Sequence, residues 1–183
     1  MGYYGRNRMW GIDNLWLERE RINPREGLPF EMFEWISSMV PIANVDLLIL
    51  NGKNEVLLSW RDDEYFGQGW HLPGGCVRFK ETLEERIQKT AKSEIGTEVI
   101  TDYAPIATRE VIVGPGQDTP IKRAHHIAIL YECHLPEGFA IANEDKDEQT
   151  AGYLKWFPEI PENILQVHEV YFDVFKKYGV MDR

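Results

Sequence analysis

The residues with chemical potential lie between Gly69 and Gly96, in the stretch GWHLPGGCVRFKETLEERIQKTAKSEIG. Its Pro-Gly-Gly turn lets backbone come close to a ligand or ion, because glycine carries no Cβ and accepts dihedrals closed to other residues. A long pattern follows: Gly75, five residues, Glu81, seven residues, Lys89, and then Glu94-Ile95-Gly96. A helix starting near Glu81 and turning roughly 100° per residue sets Leu83, Ile87, Thr90 and Ala91 within an arc of about 100°, with Glu94 inside it. A carboxylate on an apolar face is costly unless paired. A metal ion between this helix and the glycine loop would pair it; the plainer alternative is a last-turn acid reaching solvent.

Other elements must hold these residues in place. The 183 residues are 43% hydrophobic and 27% charged, enough for one globular domain with a real core. A formal net charge of −10 argues against a nucleic-acid or anionic membrane partner, although small anions can still bind at local patches. Two cysteines, Cys76 and Cys133, without an apolar leader read as a reduced, cytoplasmic protein. Residues 1–27 read as an aromatic and charged extension, and 28–183 as a single domain. PFEMFEWISSMV has the spacing of a short amphipathic helix. IANVDLLILN and EVLLSWR, joined by NGKN, read as a β-hairpin interrupted by Asp46. Gly96 suits a helix C-cap. Strands are predicted in TEVITDYAPIATREVIV, IKRAHHIAILYECHL and GYLKWF, and a final helix in ENILQVHEVYFDVFKKYG with Ile164, Val167, Tyr171, Val174 and Phe175 on one face. Strands, helix, strands, helix is an α+β order.

The fixed-spacing pattern resembles the Nudix box, G-x5-E-x7-R-E-U-x-E-E-x-G-U with U aliphatic, and the resemblance extends over roughly residues 40 to 157. It implies the Nudix α/β/α sandwich around a mixed sheet, with the box as a loop-helix-loop whose acids hold divalent metal against a diphosphate. The chain departs from the box in an instructive way. Lys89-Thr90 stands for Arg-Glu and Ser93-Glu94 for Glu-Glu, so two carboxylates are missing and Glu94 alone remains. Hard cations depend on anionic oxygen ligands, so fewer ions are expected, one Mg²⁺ or alternatively Mn²⁺.

This depletion is similar to the GDP-mannose mannosyl hydrolase branch. The resemblance implies metal ligation by the Gly74 carbonyl, Glu94 and Gln149. It also implies diphosphate contacts from Arg61 and Lys89, a hydroxyl contact from Asp46, and weaker candidate contacts from Arg78 and Arg109. Lys89 keeps the charge of the box Arg and loses its bidentate fork. Where that branch has a general-base His after the loop Gln, this chain has Thr150, whose hydroxyl cannot act as a base near neutral pH. Replacements are the loop acids Glu144, Asp145, Asp147 and Glu148, of which Glu148 adjoins Gln149, or His125 and His126 on the preceding strand. The implied reaction is attack of water at the anomeric carbon of a nucleoside diphosphate sugar, releasing free sugar with inversion. Cleavage at phosphorus and ligand binding without turnover are the alternatives, and a homodimer is the implied assembly, to which Tyr3, Tyr4, Trp10 and Trp16 could contribute.

Each side chain also has a plain structural role available. Asp46 could sit at a β-bulge, Arg61 and Lys89 could form surface ion pairs, and Arg78 and Arg109 suit the surface. His125 and His126 alternate faces of a strand, the loop acids suit a solvated turn, and Cys76 suits packing. Trp60, Tyr65, Phe66 and Trp70 suit packing, with one available to stack on a nucleobase.

Overall fold

A computed structural model of the chain describes residues 19–63, 66–112 and 125–182. Its centre is β1 (Ile42–Ile49), whose side chains alternate: Val45, Leu47 and Ile49 enter one core cluster and Leu48 the other. The Asn-Gly turn returns the chain into β2 (Val56–Asp63), with Leu50 bridging Val56 and Asn54 in the left-handed region at φ 63°. β3 (Gly67–His71) and β7 (Leu154–Phe157) flank β2 in an antiparallel three-stranded sheet. β4 (Gly74–Cys76), β5 (Pro105–Ile112) and β6 (His125–Cys133) join β1 in the order β4-β1-β6-β5, with β1 and β6 parallel and the other pairs antiparallel.

Helix α1 (Phe30–Ser37) precedes β1, and the box helix α2 (Leu83–Glu94) follows β4. α2 begins with a capping box: Thr82 Oγ1 accepts from the Glu85 amide at 3.1 Å and the Glu85 carboxylate accepts from the Thr82 amide at 2.9 Å. It ends at Gly96, whose φ of 93° suits glycine and whose amide donates to Ala91 O. Ile87 and Ala91 pack fully buried against Val45, Leu47, Ile49 and Leu57. Burying each of the larger of these side chains contributes about 1.5–3 kcal/mol. On the opposite face Leu48, Leu58, Leu72 and Leu130 meet Tyr171 and Phe175. Helical segments therefore cover both faces of the strands, giving the α/β/α sandwich with a mixed sheet.

Three segments differ from expectation. IANVDLLILN and EVLLSWR do not pair as a hairpin: past the Leu50–Val56 bridge at the NGKN turn the strands part, because the edges of β1 are taken by β4 and β6 and those of β2 by β3 and β7. Only Pro105–Ile112 of TEVITDYAPIATREVIV is strand, because the Gln88 side chain from α2 satisfies both Val99 backbone groups, at 3.0 and 2.9 Å. Tyr103 also takes a φ of 60°, incompatible with an extended strand. The C-terminal helix is divided into a 3-10 turn at Gln166–Tyr171 and α3 (Phe172–Lys177). Its start is tied to β3: Trp70 N donates to Asn163 O and Leu165 N donates to Trp70 O, so regular helix begins later. Tyr3, Tyr4, Trp10, Trp16, Tyr65 and the turn GPGQDTP lie outside the described residues. Among the described residues no helix is long and apolar enough to cross a membrane.

Candidate active site

Ile42, Asn44 and Asp46 share one face of β1, and His126 lies opposite Ile42 on β6. Together with Arg61, His71, Gly74 and His168 they line a cavity of about 320 Å³, whose apolar lining includes Phe33, Phe66 and Val167. Asp46 is its most constrained acid, only 5% exposed. Tyr171 Oη donates to Asp46 Oδ2 and Asn44 Nδ2 donates to Asp46 Oδ1, both at 2.8 Å. Burial raises its pKa to about 6, against the pull of those hydrogen bonds and of Arg61. Gly74 lies across from it on β4, and a Cβ there would sit 2.5 Å from Asp46 Oδ1, so only glycine allows this approach.

Glu94, in the last turn of α2, is close behind. Its Oε2 is buried without a hydrogen-bond partner. Burial pushes its pKa up to about 7, partly offset by Arg61 and a hydrogen bond from the Gly74 backbone, and reinforced by repulsion from Asp46. Two raised carboxyls thus share one half-buried cation, Arg61. That cation is itself held: Nε lies 2.9 Å from Asp63 Oδ2, and the guanidinium stands 5.3 Å over the Phe66 ring. A buried unpartnered carboxylate oxygen with surplus negative charge fits a divalent cation. Among the described residues no three His, Cys, Asp or Glu side chains converge to hold one, so further ligands would be backbone, water or substrate oxygens. Thr90 and Ser93, at the positions of the missing acids, add no charge, although Thr90 Oγ1 is, like Glu94 Oε2, buried without a hydrogen-bond partner. Thr90 is buried against Gly75, and Ser93 Oγ donates to Thr90 O at 3.0 Å.

The other predicted residues are dispersed. Lys89 Nζ pairs with Glu81 Oε1 at 2.9 Å, beside a two-point pair from Arg86 to the same carboxylate at 2.8 Å. Burial alone would raise the Glu81 pKa, but bonds from Arg86, Lys89 and the Arg78 amide hold it at about 2. Arg78 lines a second cavity beneath Gly27. Arg109 is structural, bonded to Val170 O at 3.0 Å and to Asp173 at 2.7 Å. Gln149 and the acids Glu144, Asp145, Asp147 and Glu148 are exposed, and Glu148 is ion-paired with Lys155. His125, bonded to Glu110 at 3.2 Å, and His126 both line the first cavity. Burial and the neighbouring His125 lower the pKa of His126.

Sequence reasoning passed over Asn44, His71, His168 and the polar role of Tyr171. His71 Nδ1 donates to Leu72 O at 2.8 Å, and the Leu72 amide donates to His168 Nε2 at 3.2 Å. Burial, with Arg61 nearby, lowers His71 to about 3 and takes His168 well below its ordinary value, so both are neutral acceptors or donors in a fixed wall. His71 stands three residues before Gly74, a local signal; His168 and Tyr171 reach the site only through folding.

This geometry, a short glycine strand against a capped helix ending in one partly buried acid, is a loop-helix-loop of the kind the box pattern implies. The NUDIX domain model matches residues 40–173, and the chain belongs to that family. The low-salt glycan biosynthesis protein Agl8 of Haloferax volcanii is 31% identical over 114 residues, covering 62% of this chain and 72% of its own. Two solved structures share the fold. One, described as a possible asymmetric diadenosine tetraphosphate hydrolase from Jonesia denitrificans, is 17% identical, with a TM-score of 0.59 over 79% of this chain and 99% of that one. The other, a MutT protein from Methanosarcina mazei, is 20% identical, with a TM-score of 0.52 over 76% of this chain and 94% of that one.

Proposed function

We propose that the protein is a divalent-metal-dependent hydrolase of a nucleoside diphosphate sugar, GDP-mannose-like, that releases free sugar and nucleoside diphosphate by attack of water at the anomeric carbon. The observation that carries this reading is the buried, unpartnered Glu94 Oε2 on a box helix where Thr90 and Ser93 replace acids. A site with one acid suits stabilising a departing diphosphate more than a multi-metal attack at phosphorus. The glycan role of Agl8 supports a sugar substrate.

Glu94 would hold Mg²⁺ or Mn²⁺, with the Gly74 carbonyl and water or substrate oxygens as further ligands, and the ion when bound would neutralise charge on the leaving diphosphate. Arg61, held through Nε by Asp63, would offer its remaining nitrogens to the same phosphates, and Lys89, paired with Glu81, would add positive charge at longer range. Asp46 and Asn44 orient a sugar hydroxyl. His126 is the base in this reading: it lines the cavity, and its lowered pKa keeps it neutral and able to accept a proton near pH 7. The protein acts as a homodimer in the same reading. A second reading, binding without turnover, is supported by one observation: the loop acid Glu148 is ion-paired to Lys155 and does not line the cavity.

Incubation with GDP-mannose, GDP-glucose and ADP-ribose plus Mg²⁺, followed by product identification, tests the proposal. Free sugar with nucleoside diphosphate is expected. Sugar phosphate with nucleoside monophosphate would show attack at phosphorus, and Mg²⁺-dependent binding without products would establish the second reading. A Glu94→Gln variant that binds Mg²⁺ and turns over normally would sink the role of Glu94.

A further inference from the structure

A second cavity, of about 400 Å³, adjoins the first and shares Phe33, Ile42 and Cys76 with it. Its character is different. Phe30, Phe33 and Phe79 supply aromatic walls, and Arg78 supplies a half-buried guanidinium. Phe30 is 54% exposed. The Phe79 ring already carries Arg19 at 5.9 Å and Lys80 at 5.4 Å. Arg86, also on the wall, is neutralised by Glu81. Arg78 is not: among the described residues its side chain makes a 3.5 Å contact from Nη1 to Arg25 O and pairs with no carboxylate.

From this we infer that the second cavity is the nucleobase site, with Phe30 and Phe33 stacking on the base and Arg78 reading the O6/N7 edge of guanine; the inference rests on the proposed nucleoside diphosphate sugar substrate. The first cavity is near the lower end of the roughly 300–1,000 Å³ usual for ligand pockets, and its polar end suits sugar and phosphate. A nucleoside diphosphate sugar therefore extends beyond it, and the aromatic cavity lies alongside, with Phe33, Ile42 and Cys76 lining both. A guanidinium offers donors only. Guanine presents two acceptors, O6 and N7, on one edge, whereas adenine replaces one of them with the N6 donor. Arg78 consequently favours guanine and disfavours adenine.

Calorimetric titration of the full-length protein with GMP, IMP, AMP and ribose 5-phosphate tests this without mutation. IMP keeps O6 and N7 and lacks only the 2-amino group, so it should bind within about threefold of GMP, with AMP weaker by about tenfold or more. Ribose 5-phosphate should bind more weakly than any of the nucleotides with the right edge. Arg78→Met should bring the GMP/AMP ratio near unity, while Phe30→Ala should weaken GMP and AMP alike and leave the ratio in place. Equal binding of GMP and AMP, IMP as weak as AMP, ribose 5-phosphate as tight as GMP, no nucleotide binding, or an unchanged ratio in a folded Arg78→Met protein would each overturn the assignment. A protein that prefers GMP but leaves GDP-mannose intact keeps this site and loses the hydrolase reading. One that releases sugar from GDP- and ADP-linked substrates equally does the reverse.

Discussion

Replacing Glu81 by Gln removes the charge that ties α2, through Arg86 and Lys89, to the backbone at Arg78. The Glu81 side chain is 1% exposed and the Arg86 side chain 8%, so the pair is buried, whereas Lys89 is 48% exposed and contributes less. Two routes give the magnitude. The folded pKa of about 2 against an ordinary 4.5, at about 1.36 kcal/mol per pH unit, corresponds to about 3 kcal/mol. Leaving one buried partner uncompensated typically costs about 3–5 kcal/mol, which agrees. For a chain of this size about 3 kcal/mol lowers Tm by roughly 6–12 °C. The pH dependence has a definite sign. Because the folded pKa is depressed, the stabilisation is complete above pH 4.5 and disappears as pH falls towards about 2. Thermal melts of wild type and Glu81→Gln at pH 7 should therefore differ widely, and the gap should close in acid. A difference under about 2 °C at pH 7, or one that persists unchanged at pH 2, would refute the assignment of Glu81 as the anchor.

Tyr171→Phe removes the donor to the buried Asp46 Oδ2 and should cost about 1–3 kcal/mol in urea unfolding, since a buried acceptor is left unmatched. Gly75→Ala places a Cβ 2.6 Å from Thr90 Oγ1, forcing β4 and α2 apart; a loss of about 1–3 kcal/mol is expected, and a variant as stable as wild type would show that the contact relaxes freely. If His126 is the base, kcat for sugar release should fall about 10²-fold or more in His126→Gln, and less in Glu148→Gln; the reverse order would return the role to the loop.

The parts of the fold legible along the chain are those governed by local rules. The tight turn at NGKN, the box helix with its cap and glycine stop, and the apolar faces of β1 and α2 all follow from spacing and turn chemistry, whereas the strands on either side of that turn pair into different sheets. Failures occurred where a distant group intervened. Gln88 took the backbone of Val99 out of the predicted strand, and β3 took the first turn of the C-terminal helix. The candidate site divides in the same way. Glu94, Gly74 and Arg61 are grouped in space, while Lys89 is engaged by Glu81 and Gln149 lies on an exposed loop.

Sequence by itself determined the family, the single surviving box acid and the loop that faces it, because these sit within about 20 residues and depend on helical period and glycine geometry. Tertiary structure alone decided the electrostatics. Asp46 acquires its raised pKa from burial, against the pull of the hydrogen bond from Tyr171, 125 residues away, and the neutral His71–His168 wall forms only when the C-terminal segment docks on β3. Desolvation is a property of everything packed around a group, so it is not written in the residues beside it.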